Sequence, residues 1–264
     1  MRKKPAAEGT ERLRLRRFDG RHLRAAGVDA VREELLEVVA DGRPVVSIAC
    51  AGIHLRELAV GFLKQEGLIE SAGDIVKMTF RRGRVDIRTR GGRGRELPAG
   101  AAKTIASSGA RGSRTLQAQR GKKRRPGTGP GLDARAVLDL MEALLAATVI
   151  HERTRGTHCS AIAAPGGILA AREDIGRHNT IDMLCGWALT EGVDLSDKIL
   201  LTTGRVSSEI VAKASRMGVP VIVSHSAATT RAVALADRMG IAVIGYVRAG
   251  TFIVYAGKDA VIAE

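Results

Sequence analysis

The last third of the chain alternates short apolar runs with helical stretches, and no other feature constrains the fold as strongly. Apolar runs at Ile199–Thr203, Val219–Val223 and Ile241–Val247 are separated by Ser207–Met217 and Thr229–Met239. Strands spaced by helices of that length read as βαβ units, in which the strands lie parallel and the crossovers are right-handed. The carboxyl ends of such strands open on one crevice. Here each end is polar: Thr203-Gly204-Arg205, Ser224-His225-Ser226, and Tyr246-Val247-Arg248 followed by Gly250. Two of these ends run into helix N-termini, whose free N–H groups and partial positive charge favour an anion. A phosphorylated or nucleotide-like ligand is therefore expected. Arg205 and Arg248 are the stronger candidates, since an arginine at the strand end of a buried sheet needs an anionic partner. His225 alone is as readily a loop residue, and Ser207 and Ser208 are ordinary N-caps.

Upstream, Arg172 to Asp182 (Arg-Glu-Asp-Ile-Gly-Arg-His-Asn-Thr-Ile-Asp) packs six ionisable side chains and Asn179 into eleven positions. Such density at a strand-to-helix junction favours a ligand site over a helix start capped by Asp174. Ser160–Ala164 and Ile168–Ala171, turning at Pro165-Gly166-Gly167, predict a hairpin that delivers the chain to this cluster. Asp133 is the expected N-cap of a helix carrying Val137, Leu138, Leu140, Met141, Leu144 and Leu145 at helical spacing.

The first half is less regular. Val45–Cys50 reads as a strand, His54–Lys64 as a helix with Leu55, Leu58, Phe62 and Leu63 on one face, closed near Gly67. Asp74–Phe80 and Arg84–Arg88 read as a hairpin around Arg82-Gly83. The expected organisation is a basic, frayed terminus at 1–24, a smaller α+β part at 25–110, a basic Gly-rich loop at 111–131, and an α/β domain at 132–264.

Charge sharpens this division. The formal charge is +14, and between Arg81 and Arg125 fifteen Lys or Arg face only Asp86 and Glu96. A basic loop can steer polyanions or bind nucleic acid, but it lacks the interleaved aromatics of a single-strand stacking platform. No run is long enough to span a bilayer, and no apolar signal core follows the basic start, so a cytoplasmic protein is expected. Cys50, Cys159 and Cys185 share no metal-ligand spacing, which argues against zinc and against a disulfide scaffold. The His-x-Glu and Pro-Cys-x-x-Cys signatures of a zinc deaminase are missing.

Four strings, Thr154-Arg155-Gly156-Thr157-His158, Arg172 to Asn179, Gly204-Arg205-Val206-Ser207-Ser208-Glu209 and Ser224-His225-Ser226-Ala227-Ala228-Thr229-Thr230, resemble the FdhD/NarQ family of formate dehydrogenase accessory sulfurtransferases in order and spacing. The resemblance runs from about Val31 to Tyr255 and includes Glu57–Leu63 and Glu66-Gly67-Leu68-Ile69. It implies a cytidine-deaminase-like three-layer α/β fold and a homodimer. It also implies that sulfur passes from a cysteine desulfurase to the molybdenum bis-guanine-dinucleotide cofactor before insertion into formate dehydrogenase. The family's cofactor-contacting segment matches Tyr246, Val247, Arg248, Ala249, Gly250 and Thr251, with Tyr in place of Phe. His158, Arg177, His178 and Arg205 are added as contacts on chemical grounds.

One departure bears on mechanism. Sulfur-transferring members resembling this chain carry Ser-Cys-Gly-x-Cys-Gly, and the matching stretch is Ser107-Ser108-Gly109-Ala110-Arg111-Gly112, with Ser108 and Arg111 at the thiol positions. A hydroxyl cannot carry a persulfide. Arg155 stands where Gly is usual, and Met183 where Lys is usual. Cys159, beside His158, is the remaining candidate thiol, against its reading as a small core residue. Two functions follow: cofactor sulfuration through Cys159 or a partner's thiol, or carriage of the cofactor or a guanine nucleotide without sulfur chemistry.

Overall fold

The computed structural model describes residues 7–92, 94, 103–105 and 131–262. Ser108, Arg111 and the Arg120–Arg125 basic run lie outside the described residues. The strands are β1 Thr10–Phe18, β2 Leu23–Val31, β3 Glu34–Ala40, β4 Arg43–Cys50, β5 Ile75–Arg81, β6 Arg84–Thr89, β7 Lys103–Ile105, β8 Leu132–Asp133, β9 His158–Ala164 and β10 Gly167–Asp174. They continue with β11 Ile199–Thr202, β12 Val221–Ser224, β13 Ala242–Arg248, β14 Thr251–Ala256 and β15 Val261–Ile262. The helices are α1 Leu55–Gln65, α2 Ala134–Ala146, α3 Val149–Thr154, α4 Arg177–Glu191, α5 Ser208–Met217 and α6 Thr230–Met239.

The C-terminal half is built on a six-stranded mixed sheet in the order β10-β9-β11-β12-β13-β14. Strands β11, β12 and β13 are parallel, as the alternation predicts, while β9, β10 and β14 run antiparallel to their neighbours. Helices α4, α5 and α6 cover one face through Ile181, Leu184, Ile210, Val211 and Leu235. Helix α2 covers the other through Val137, Leu140, Met141 and Leu144, giving three layers. Asp133 caps α2 as expected, its carboxylate accepting from the Arg135 N–H.

A five-stranded sheet, β5-β6-β3-β4-β7, carries the N-terminal half and packs on α1 through Leu58, Phe62 and Leu63. The two halves meet where α1 crosses α4. At the crossing Gly61 faces the Asp182 backbone and Gly186 faces the Glu57 backbone, so closely that no side chain fits between. Met183, which stands where the family resemblance leads one to expect lysine, inserts from α4 into the N-terminal core and is fully buried. A lysine there would be an unpaired buried charge; a methionine packs.

The expected frayed terminus is not what forms. From Thr10 to Val31 the chain is an antiparallel hairpin, β1 against β2 in continuous register. Its side chains are mostly exposed on both faces, with Arg12, Arg14 and Arg16 alternating with Leu13 and Leu15, so it is a strand pair without a core-facing stripe.

Candidate functional site

The topology brings one set of ends to one edge. Because β9 is antiparallel to β11 and β10 to β9, the start of β9 and the end of β10 lie beside the carboxyl ends of β11, β12 and β13. The loops leaving these strands are stitched together. Thr203 N–H donates to the Cys159 carbonyl (2.9 Å), His225 N–H to the Thr202 carbonyl (3.0 Å) and Tyr246 N–H to the Ser226 carbonyl (2.9 Å). Ser224 Oγ donates to the Gly204 carbonyl at 2.9 Å. The result is a continuous polar ledge carrying His158, Arg177, Arg205, His225, Tyr246 and Arg248.

Two guanidiniums share the centre. Arg177 opens α4, and its stem lies across Gly204, where a Cβ would come within 3.0 Å of it. Its charged form is disfavoured first by burial and then by the nearby Arg205 guanidinium, with Glu209 opposing. Arg177 Nε and Ser207 Oγ are buried without a hydrogen-bond partner among the described residues. Two like charges beside unsatisfied donors form a site that an anion would complete. The His158 pKa is lowered by burial and then by Arg177, His151, His178 and Arg205, in that order. His178 is 2% exposed, with Nε2 3.0 Å from Glu209 Oε2, so it braces α4 against α5 from beneath the ledge.

At the outer end, Tyr246 to Thr251 is the tip of the β13–β14 hairpin, with Ala249-Gly250 as its turn. The register slips between Gly245 and Arg248, and Tyr246 takes the left-handed conformation at φ 58. That costs a bulky residue about 1 kcal/mol. It turns the ring out, with the Arg248 guanidinium carbon 3.4 Å from its centroid. Tyr246, Arg248, Ala249, Gly250 and Thr251 are exposed. Val247 is 1% exposed and packs in the core, so only its backbone faces a ligand.

Most of the dense polar segment has a different task. Arg172 pairs with Glu57 of α1 at 2.5 and 2.6 Å. Glu173 accepts from the N–H groups of Ile150 and His151 and from the Thr157 hydroxyl, capping α3. Asp174 accepts from Ala51 N–H (2.8 Å), Gly176 N–H (2.9 Å) and Asn179 Nδ2 (2.7 Å), and Asn179 also reaches the Ala49 carbonyl. Arg172, Asp174 and Asn179 clamp the halves together, while Glu173 acts within the C-terminal half; Asp174 is no N-cap of α4, a position held by Gly176. Burial pushes the Asp174 carboxyl up to about 6 against those three hydrogen bonds.

A cleft of about 840 Å³ adjoins the ledge, lined by His151, Glu152, Arg155, Thr157, His158, Thr203 and His225 with apolar residues of α2. The contribution of α3 is not legible in the sequence, because a six-residue helix carries too little periodicity.

Cys159 sits in the core of the C-terminal half. It is 1% exposed, and burial, then Glu173, pushes its thiol up to about 12. Cys50 and Cys185 are also buried and pushed up to about 12, chiefly by desolvation. A protonated, buried thiol is a poor nucleophile toward a sulfur donor. Among the described residues no group of three His, Cys, Asp or Glu could hold a metal, and no helix is long and apolar enough to cross a membrane.

Comparison with known proteins agrees with this architecture. The FdhD/NarQ family model matches residues 31–262. A sulfur carrier protein FdhD of Geobacillus kaustophilus is 37% identical over 233 residues, covering 86% of this chain and 88% of that one. A sulfur carrier protein FdhD of Listeria innocua is 29% identical, over 95% of this chain and 98% of that one. The crystal structure of a candidate formate dehydrogenase accessory protein from Desulfotalea psychrophila superposes with a TM-score of 0.78 at 20% identity, covering 96% and 99% of the two chains, which shows the shared fold.

Proposed function

The chain belongs to the FdhD/NarQ family, and from that premise we propose that it is an accessory protein of formate dehydrogenase maturation. In this reading it holds the molybdenum bis-guanine-dinucleotide cofactor on the carboxyl edge of its six-stranded sheet. The observation that carries it is the pairing of Arg177 with Arg205 beside the unpartnered Arg177 Nε and Ser207 Oγ. A dinucleotide's pyrophosphate supplies the missing anion. The Tyr246–Arg248 stack gives a flat, cationic surface suited to a guanine base.

The relatives are sulfur carrier proteins by name, but this chain's thiols favour a second reading of its share in that work. With Ser108 and Arg111 in the motif that resembles the sulfur-carrying loop, and three buried cysteines, it presents the cofactor without carrying sulfur itself. Sulfur from a cysteine desulfurase then reaches the cofactor through a partner's thiol. Homodimerisation and a cytoplasmic location belong to the same reading.

Calorimetric titration with GDP tests it. Saturable binding is expected that weakens with salt and is reduced about tenfold or more in Arg205→Ala and in Tyr246→Ala. Absence of GDP binding by the unmodified protein at low salt overturns it.

A further inference from the structure

We propose that Arg155 is a specificity-determining residue of the cleft beside β9, where it receives a phosphoryl or pyrophosphoryl group. This rests on the reading of the neighbouring sheet edge as an anionic-ligand site, and adds to it a residue and a subsite.

Position 155 is unusual in its backbone. It closes α3 at φ 55, in the left-handed region that glycine enters freely and arginine does not. The next residue, Gly156, lacks positive φ but has no room for a side chain, since a Cβ there would sit 2.8 Å from Val31. The chain thus places its glycine where space requires it and an arginine where conformation favours glycine. An arginine in this strained left-handed conformation points to a role for its side chain.

The side chain has a matching environment. Arg155 lines the cleft with the imidazoles of His151, His158 and His225, and Glu152 is the one acidic residue among the described lining. Arg155 makes no ion pair among the described residues. His151 is fixed in place, its Nδ1 2.6 Å from the Thr157 carbonyl, which makes Nδ1 the N–H donor. His158 lines the cleft and lies near Arg177 and Arg205, so it stands where cleft and ledge adjoin. A phosphoryl group at Arg155 would meet a planar bidentate donor.

The probe is inorganic pyrophosphate, followed by calorimetry on the full chain alongside GDP. Arg155→Gly is expected to bind pyrophosphate about tenfold more weakly than the unmodified protein, with a shallower dependence of affinity on salt, and to melt at a higher temperature because the left-handed residue is now glycine. A structural role alone would change melting and leave affinity untouched. Equal pyrophosphate affinity in Arg155→Gly and the unmodified protein overturns the inference, and GDP binding lost in Arg205→Ala would then leave the ledge reading standing. Binding of neither ligand by the unmodified protein overturns both.

Discussion

Gly61→Ala tests whether the two halves are held by backbone contact between α1 and α4. A Cβ at position 61 would lie 1.7 Å from the Asp182 carbonyl oxygen, and one at position 186 would lie 2.0 Å from the Glu57 carbonyl oxygen. Neither obstacle is the movable end of a side chain. The helices must part by roughly 1.5 Å, which forfeits much of the dispersion attraction along the crossing. Overpacking of this kind costs about 1–3 kcal/mol. The parting also strains the Arg172–Glu57 pair and the Ala51–Asp174 hydrogen bond that bridge the same halves. Alanine's better helix propensity returns about 1 kcal/mol. About 1 kcal/mol lost from the strained bridging bonds offsets that gain, so packing wins by about 1–3 kcal/mol, a fall in melting temperature of roughly 2–12 °C for a chain of this size. Urea unfolding with a Gly166→Ala control measures it, since a Cβ at Gly166 would meet no atom within 4 Å and should change stability by less than about 0.5 kcal/mol. If Gly61→Ala unfolds within about 0.5 kcal/mol of the unmodified protein, the close crossing does not hold the halves.

Asp174 sets a pH signature. Its folded pKa of about 6 lies above the ordinary 3.8, so its stabilisation is complete below about 3.8 and is lost as pH rises through 6, a difference of about 3 kcal/mol. The difference in unfolding free energy between the unmodified protein and Asp174→Asn, measured from pH 4.5 to 8, should carry that slope; a flat difference contradicts it. Glu57→Gln should destabilise by about 1–3 kcal/mol in thermal unfolding, because it leaves the Arg172 guanidinium partly buried without its carboxylate. Reaction of native protein with a thiol-specific disulfide reagent should modify none of Cys50, Cys159 and Cys185 within minutes, and all three after unfolding. Rapid native labelling of Cys159 would restore it as a sulfur carrier.

What is legible in the sequence follows from periodicity. Strands β11 to β13 and helices α5 and α6 are readable because each strand is a short apolar run and each helix shows one apolar face. Helix α4 shows no such face: Ile181 and Leu184 point into the C-terminal core and Met183 into the N-terminal core, while His178, Asn179, Thr180 and Asp182 are buried too, so it is covered around its circumference. In the β1–β2 hairpin Arg12, Arg14 and Arg16 alternate with Leu13 and Leu15, a two-residue period that the segment's dense positive charge and exposed faces mask. Polar density at 172–182 marks a place of consequence but not its kind. Arg172, Asp174 and Asn179 join the halves and Glu173 caps α3, while Arg177 alone of that run stands exposed enough at the ledge to meet a ligand. Partners in the other half of the chain satisfy Arg172, Asp174 and Asn179, and sequence spacing carries no trace of contacts more than a hundred positions apart. Cys159 likewise stands next to His158 in sequence but faces the opposite side of the strand, into the core.

Native mass spectrometry of the purified protein, with GDP or the molybdenum cofactor and with a cysteine desulfurase plus cysteine, addresses the central claim most directly. A bound nucleotide or cofactor mass, lost in Arg205→Ala, is predicted, with no added sulfur on the protein chain. A sulfur adduct on the chain that vanishes in Cys159→Ala, or no ligand mass under any condition, would contradict it.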